Sequence, residues 1–273
     1  MAFADLLLSR ARAAEAPLLL FVLGEPVSGK STVVSNLLKY LVGKEPALAI
    51  KLIRWGDAMR AERQLGQLPA DRLPGDLSAE EFAGLSAFVG EQVQAARASI
   101  EGSGLVVTEF PGCTAVLGKN GIDGLDRGFS TCRTFASDAG AHYLALSAET
   151  RLRELFMSSR ETAPADATQA RSATPLAANR VHEQVTALMQ RLQAAGRMAP
   201  PGGPAGFDAD PALRERVHFR RFLPHLLAQE IGAPTDRSLV ARNVLVPPSL
   251  ESAAQADTAF LDGLDWIRER YGI

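Results

Sequence analysis

The sequence predicts an α/β fold built on a parallel sheet with helices on both faces, and three observations carry that reading. Five short apolar runs recur along the 273 residues, at Leu18–Leu23, Leu48–Ile53, Leu105–Thr108, His142–Leu146 and Leu239–Val246. The first four are continuous or nearly so, as strands covered on both faces are. Helical patterns fall between them, which is the layout of βαβ units. Hydrophobic residues at 47% and charged residues at 22% lie near the globular average and exclude wholesale disorder.

Taken in order, Leu18–Leu23 (LLLFVL) is the first strand, and the pattern Lys30–Leu41 is the helix after it. Leu48–Ile53 follows as the second strand. A long helix, Ser78–Ile100, precedes the third run and opens with Ser78 and Glu81 in capping-box spacing. Thr150–Ser158 follows the fourth run, then Asn179–Ala194, Pro211–Ile231 and a closing pattern at Ser252–Tyr271. Two stretches read as irregular. Ser159–Ala178 is rich in Ala, Thr and Pro, and Gly196–Pro211 contains PPGGPAG. Either reads as a linker or a surface loop, and the helices flanking the first favour a loop within one domain. There is no internal repeat.

Lys and Arg total 29 against 31 Asp and Glu, a net charge of −2 that argues against a protein whose task is coating nucleic acid. The group Arg214, Arg216, His218, Arg220 and Arg221 is interleaved with Leu213, Val217, Phe222 and Leu226. That spacing reads as an amphipathic helix with a basic face, and aromatics do not accompany the cations as base stacking requires. Cys113 and Cys132 are too few for a disulfide framework and lack metal-ligand spacing, so both are expected as small buried fillers. No apolar run reaches the roughly 18 residues of a membrane span. The run at Leu18 lacks the cleavage pattern of a signal peptide, so a reducing cytoplasm is the expected compartment. His142 is expected at a strand edge and His182 on the surface.

The chemistry is carried by Gly24-Glu25-Pro26-Val27-Ser28-Gly29-Lys30-Ser31, which fits G-x-x-x-x-G-K-[ST] between a buried-type strand and a helix. Phosphate oxygens need several donors converging on a tight radius. Two glycines let the backbone bend so that successive N–H groups point inward, and the helix N-terminus adds partial positive charge. The loop from Gly24 through Pro26, Val27, Ser28 and Gly29 to Lys30, Ser31 and Thr32 is therefore the expected nucleotide cradle. Lys30 would reach the β- and γ-phosphates, and the Ser31 hydroxyl would ligate Mg²⁺.

Three later segments sharpen the picture: Gly56-Asp57-Ala58-Met59-Arg60 after the second strand, Thr108-Glu109-Phe110-Pro111-Gly112 after the third, and Arg180 with Arg191-Leu192 on one helical pattern. With the loop, this order resembles the nucleoside monophosphate kinases, adenylate kinase in particular, whose segments read G-D-x-x-R, D-G-F-P-R and R-x-D-D…R-L. The resemblance spans roughly Leu18 to Leu192. It implies a P-loop three-layer sandwich in a single domain over 1–273. A helical acceptor-binding insertion would lie near 57–101, a lid near 159–179 and a C-terminal extension over 196–273.

The resemblance implies an ATP- and Mg²⁺-dependent transfer of a phosphoryl group to a small acceptor, most plausibly a nucleoside monophosphate, with no membrane or nucleic-acid partner. Arg60 would clamp the acceptor's phosphate with the bidentate geometry a guanidinium offers. Asp57 would orient the acceptor helices, and Phe110 would line their pocket. Arg180 and Arg191 would neutralise charge on the transferring group, and Arg160 would stand where the lid begins, as a substrate-binding residue of a lid that closes to exclude water. Two departures stand out. The terminal arginine of D-G-F-P-R is absent, with Gly112 in its place, and its aspartate is Thr108. Glu109, one position later at a strand end, is expected to take the metal-side role. The paired aspartates of the lid are His182 and Glu183. Arg127 and Arg133, in the glycine-rich stretch Gly118–Arg133, are the candidates to restore the lost cation. A kinase of a non-nucleotide acceptor (an antibiotic, a sugar or a sulfate ester) and a nucleotide-dependent regulatory module are the rival readings.

Overall fold

The computed structural model describes residues 3–25, 28–64, 76–110, 120–148, 178–200 and 220–243. Its centre is a five-stranded sheet whose every described pairing is parallel, in the order β2-β3-β1-β4-β5. The strands are β1 (Leu18–Gly24), β2 (Ala49–Arg54), β3 (Gly104–Glu109), β4 (Ala141–Ala148) and β5 (Ser238–Asn243). The helices are α1 (Phe3–Ala13), α2 (Lys30–Lys44), α3 (Trp55–Gln64), α4 (Ala79–Ala98), α5 (Gly121–Gly128), α6 (Ser130–Thr134) and α7 (Ala178–Ala194). A further helix, α8, runs over 220–225 and continues as a π-helix over Leu226–Ile231.

The continuous apolar run of β1 has the physical cause expected of it, since all seven residues are buried. Alternate side chains serve two cores, because successive residues of a strand point to opposite faces. Leu18, Leu20 and Val22 join α1 and α2 on one face, with Leu7, Val34 and Leu37 among their neighbours. Leu19, Phe21 and Leu23 join α4, α5, α7 and the Leu226–Ile231 turn on the other. Phe21 stacks on Tyr143, with ring centroids 5.3 Å apart. The outer strand β2 is exposed at Ala49, Lys51 and Arg54, as an edge strand is.

The capping box is formed in full: the Ser78 hydroxyl accepts from the Glu81 N–H at 3.2 Å, and Glu81 accepts from the Ser78 N–H at 2.6 Å. Three helices were not foreseen as such. α1 precedes the first strand and packs Leu7 and Leu8 onto the sheet. The glycine-rich stretch before Arg133 folds into α5 and α6, with Gly121, Gly124 and Gly128 buried.

No described helix is long and apolar enough to cross a membrane. The expected helices Thr150–Ser158 and Ser252–Tyr271 lie outside the described residues. So do the expected lid up to residue 177, Arg214 to His218 of the basic group, Cys113, and the last strand beyond Asn243. Cys132 is buried as expected, and burial pushes its thiol well above the ordinary range.

Candidate active site

Ligands of open parallel sheets bind beyond the carboxyl ends of the strands, and the motif residues collect there. β1 ends at Gly24, where a Cβ would lie 2.5 Å from the Leu146 carbonyl and 2.6 Å from Ser28 Oγ. No side chain fits, so the loop can turn this tightly only on glycine. The Ser28 N–H donates to the Glu25 carbonyl at 3.1 Å, closing the turn. Gly29 caps α2 in the left-handed region at φ 86°, a conformation that favours glycine, and its carbonyl receives the Val33 N–H at 2.9 Å.

Lys30 folds back over this loop. Its Nζ donates to the carbonyls of Gly24 and Glu25, both at 2.9 Å. Ser31, exposed on the first turn of α2, donates its hydroxyl to Glu109 Oε1 at 2.5 Å. The pairing of β1 with β3 makes this contact possible, because the register sets Glu109 opposite Val22, and the Phe110 N–H donates to the Val22 carbonyl at 2.9 Å. Two buried polar atoms here have no hydrogen-bond partner among the described residues: Ser28 Oγ and Glu109 Oε2. Buried polar atoms in native proteins are nearly always paired, and an unpaired one costs about 1–3 kcal/mol.

The donor set fits a hard divalent cation. Magnesium takes oxygen ligands, keeps several waters and is held by one or two protein oxygens together with phosphates. Ser31 Oγ and Glu109 supply such oxygens, and among the described residues no group of three or more His, Cys, Asp or Glu offers an all-protein metal cage. Thr32 lies on the first turn of α2, while Pro26 and Val27 fall outside the described residues.

The other expected residues are placed unevenly. Asp57 and Arg60 pair with each other across one turn of α3, both exposed. Arg180 stands in the first turn of α7, and Arg191 lies eleven residues further along it. Its guanidinium packs over α5, with Nη1 2.9 Å from where a Cβ on Gly121 would be. Arg160 lies outside the described residues. Phe110, expected to line the acceptor pocket, is 1% exposed and packs in the core, with ring centroids 6.0 Å from both Phe21 and Phe129. Arg133 is engaged at all three nitrogens: Nη2 and Nη1 donate to Asp126 Oδ1 at 2.8 Å and to its carbonyl at 2.5 Å, and Nε donates to the Glu230 carbonyl. It ties α5 and α6 to the end of α8, and Arg127 is the exposed arginine of that stretch.

That seam was not read from the sequence. Arg197, in the turn after α7, bonds Asp126 at 2.7 and 3.0 Å and Glu230 as well, and His225 reaches Glu230 at 3.0 Å. The hydrogen bond from Arg197 is the main reason the Asp126 carboxyl is held below its ordinary range.

The order β2-β3-β1-β4-β5, with a glycine-rich phosphate loop after the first strand and a carboxylate at the end of the third, defines a P-loop kinase-like α/β fold. No protein-family model matches the chain, and no curated protein does. Among solved structures, TT1252 from Thermus thermophilus is similar at 17% identity and a TM-score of 0.33, over 78% of this chain and 97% of that one. Shikimate kinase from Acinetobacter baumannii, solved in complex with shikimate, is similar at 12% identity and a TM-score of 0.32, over 95% and 97%. Likeness of that degree assigns no substrate.

Proposed function

We propose that the chain is a phosphotransferase that moves the γ-phosphoryl group of ATP to a small acceptor, with a nucleoside monophosphate as that acceptor. The observation that carries the reading is the contact between Ser31 and Glu109. It sets a hydroxyl and a carboxylate, whose second buried oxygen has no partner among the described residues, beside the glycine-bearing loop after β1, as a magnesium site next to bound phosphates would need.

Catalysis in such a site is positional and electrostatic. The amides at the N-terminus of α2 would hold the phosphate tail. Lys30 would exchange the carbonyls of Gly24 and Glu25 for phosphate oxygens. Magnesium held by Ser31 and Glu109 would draw off negative charge from the phosphates. Arg180 and Arg191 on α7 would meet the charge that spreads over the transferring group, and Arg160 would bind substrate from the start of the lid. Arg60, steadied by Asp57, would receive the acceptor's own phosphate, and Phe110 would support that pocket from the core.

A second reading, a kinase whose acceptor carries no phosphate, is favoured by one observation. Arg133, a candidate to restore the arginine missing after Pro111, has its nitrogens occupied by Asp126 and Glu230. A coupled assay of ADP formation with AMP, GMP, CMP and UMP separates the two. Turnover that depends on one of the four supports the first reading. Silence on all four with Mg·ATP bound favours the second.

A further inference from the structure

The charges of the seam converge on one residue. Arg197 follows the end of α7, in a turn closed by the Ala195 N–H to the Arg191 carbonyl at 2.9 Å and the Arg197 N–H to the Leu192 carbonyl at 2.8 Å. Its guanidinium grips Asp126 of α5 as a fork, Nη2 to Oδ1 at 2.7 Å and Nη1 to Oδ2 at 3.0 Å. From its other side it bonds both carboxylate oxygens of Glu230, whose side chain is 3% exposed in the π-helix that ends α8. His225 Nε2 lies 3.0 Å from the same carboxylate. Thus α5, α7 and α8 meet on a single cation. Burying an ion pair is costly, and apolar side chains of similar size would often serve stability as well. What the charges add is fixed geometry, and π-turns recur where function needs one.

The helices α5 and α7 make a second contact nearer the carboxyl edge. Arg191 is exposed in the last turn of α7, and its Nη1 lies 2.9 Å from where a Cβ on Gly121 would be, at the start of α5. That start lies at the carboxyl end of the sheet. Asn120, just before it, bonds the Leu77 carbonyl at the head of α4, the helix that leads down to the amino end of β3. Asp126 follows on α5 after a rise of about 7.5 Å.

We propose that Arg197 is a positioning residue for phosphoryl transfer: by clamping the end of α7 to Asp126 and Glu230, it sets Arg191 over the start of α5 toward the transferring group. This rests on the role given to Arg191 above. The clamp needs a guanidinium, because a planar fork bonds Asp126 through two nitrogens and still reaches a second carboxylate. An ammonium keeps the charge and loses the geometry.

The test is a double-mutant cycle on the full chain, with turnover read as ADP released from Mg·ATP. The acceptor is whichever of AMP, GMP, CMP and UMP accelerates that release, or water where none does, so the acceptor's identity does not enter. Arg197→Lys is expected to lower kcat about tenfold, with KM for ATP within about twofold. Arg191→Ala is expected to lower kcat further, and the double variant to match Arg191→Ala alone, because Arg197 acts through Arg191. A merely structural clamp would lower the unfolding midpoint and leave the kcat of the folded enzyme unmoved. That result, or losses in kcat that multiply in the double variant, overturns this inference and leaves the nucleotide site standing. Full turnover in Arg191→Ala removes the role of Arg191 and the clamp's purpose with it. Absence of ADP release from the unsubstituted chain removes the phosphotransferase reading as a whole. If Arg197→Lys does not fold, Asp126→Asn, which leaves Glu230 its partner, is put through the same cycle and decides.

Discussion

The two ends of the sheet are built on opposite terms. At the amino end polar groups are paired. Arg97 on α4 binds the Asp138 carboxylate, which also accepts the Gly140 N–H at 2.8 Å. Arg237 donates to the Asp138 carbonyl, and the Leu19 N–H donates to the Gly140 carbonyl at 2.9 Å. His142 is buried there, with Nδ1 3.0 Å from the Gly140 carbonyl and Nε2 2.8 Å from an Arg10 nitrogen. At the carboxyl end three buried atoms have no hydrogen-bond partner among the described residues: Ser28 Oγ, Trp55 Nε1 and Glu109 Oε2. They stand at the ends of three different strands. One end is satisfied by the protein itself. The other carries polar atoms with no partner among the described residues, and the proposed nucleotide and metal site accounts for that cost.

Substitutions at the two ends should therefore separate activity from stability. The largest effect is expected for Lys30→Met, which removes the cation of the phosphate loop. Phosphoryl transfer in a coupled ADP assay should fall by at least about 10³-fold, with the unfolding midpoint little changed. Retained turnover would break the contrast at its strongest point. Glu109→Gln keeps an oxygen for Ser31 but removes the charge. Turnover should drop on the order of 10²-fold and half-saturation should need more magnesium, while thermal stability changes little, because a half-buried charge is lost but an unpaired amide nitrogen takes the place of the unpaired oxygen.

The amino end should behave the other way. Arg97→Ala breaks a half-buried pair and should cost about 1–2 kcal/mol, lowering the midpoint by a few degrees in calorimetry, with the affinity for Mg·ATP unaltered. A loss of nucleotide affinity in that variant would erase the distinction. The smallest effect is in the pH dependence of stability. Burial chiefly, with Arg10 and Arg237 nearby, holds the His142 imidazole below its ordinary value of 6.5. The folded state thus binds its proton less readily than the unfolded chain, and this contribution is present above pH 6.5 and lost as the pH falls below it. His142→Gln should flatten that part of the stability curve. At Asp138, burial raises the carboxyl, but Arg97 and the Gly140 N–H outweigh it and hold it below 3.8, so a second loss of stability is expected in stronger acid.

Much of this was legible in the sequence, and the reasons are local. Strands buried on both faces write themselves as continuous apolar runs, and Leu18–Leu23 becomes a strand buried throughout. The glycines of the loop are dictated by close approach at Gly24 and by the left-handed turn at Gly29. Glu109 was findable because a carboxylate at a strand end has few structural uses. What stayed hidden depends on contacts far apart in the chain. The seam of Asp126, Arg133, Arg197 and Glu230 joins residues up to 104 positions apart, and no spacing rule reaches that distance. Arg133 looked like a free cation for the same reason. Phe110 is marked for the pocket by its motif, yet its ring belongs to the core.

The most direct measurement is a calorimetric titration of ATP into the full chain, with magnesium and with EDTA, repeated on Glu109→Gln. One binding event per chain is expected, tighter with magnesium, and that gain should shrink in the variant. Absence of heat with Mg·ATP, or a magnesium effect untouched by the substitution, would contradict a nucleotide and metal site at the carboxyl end of the sheet.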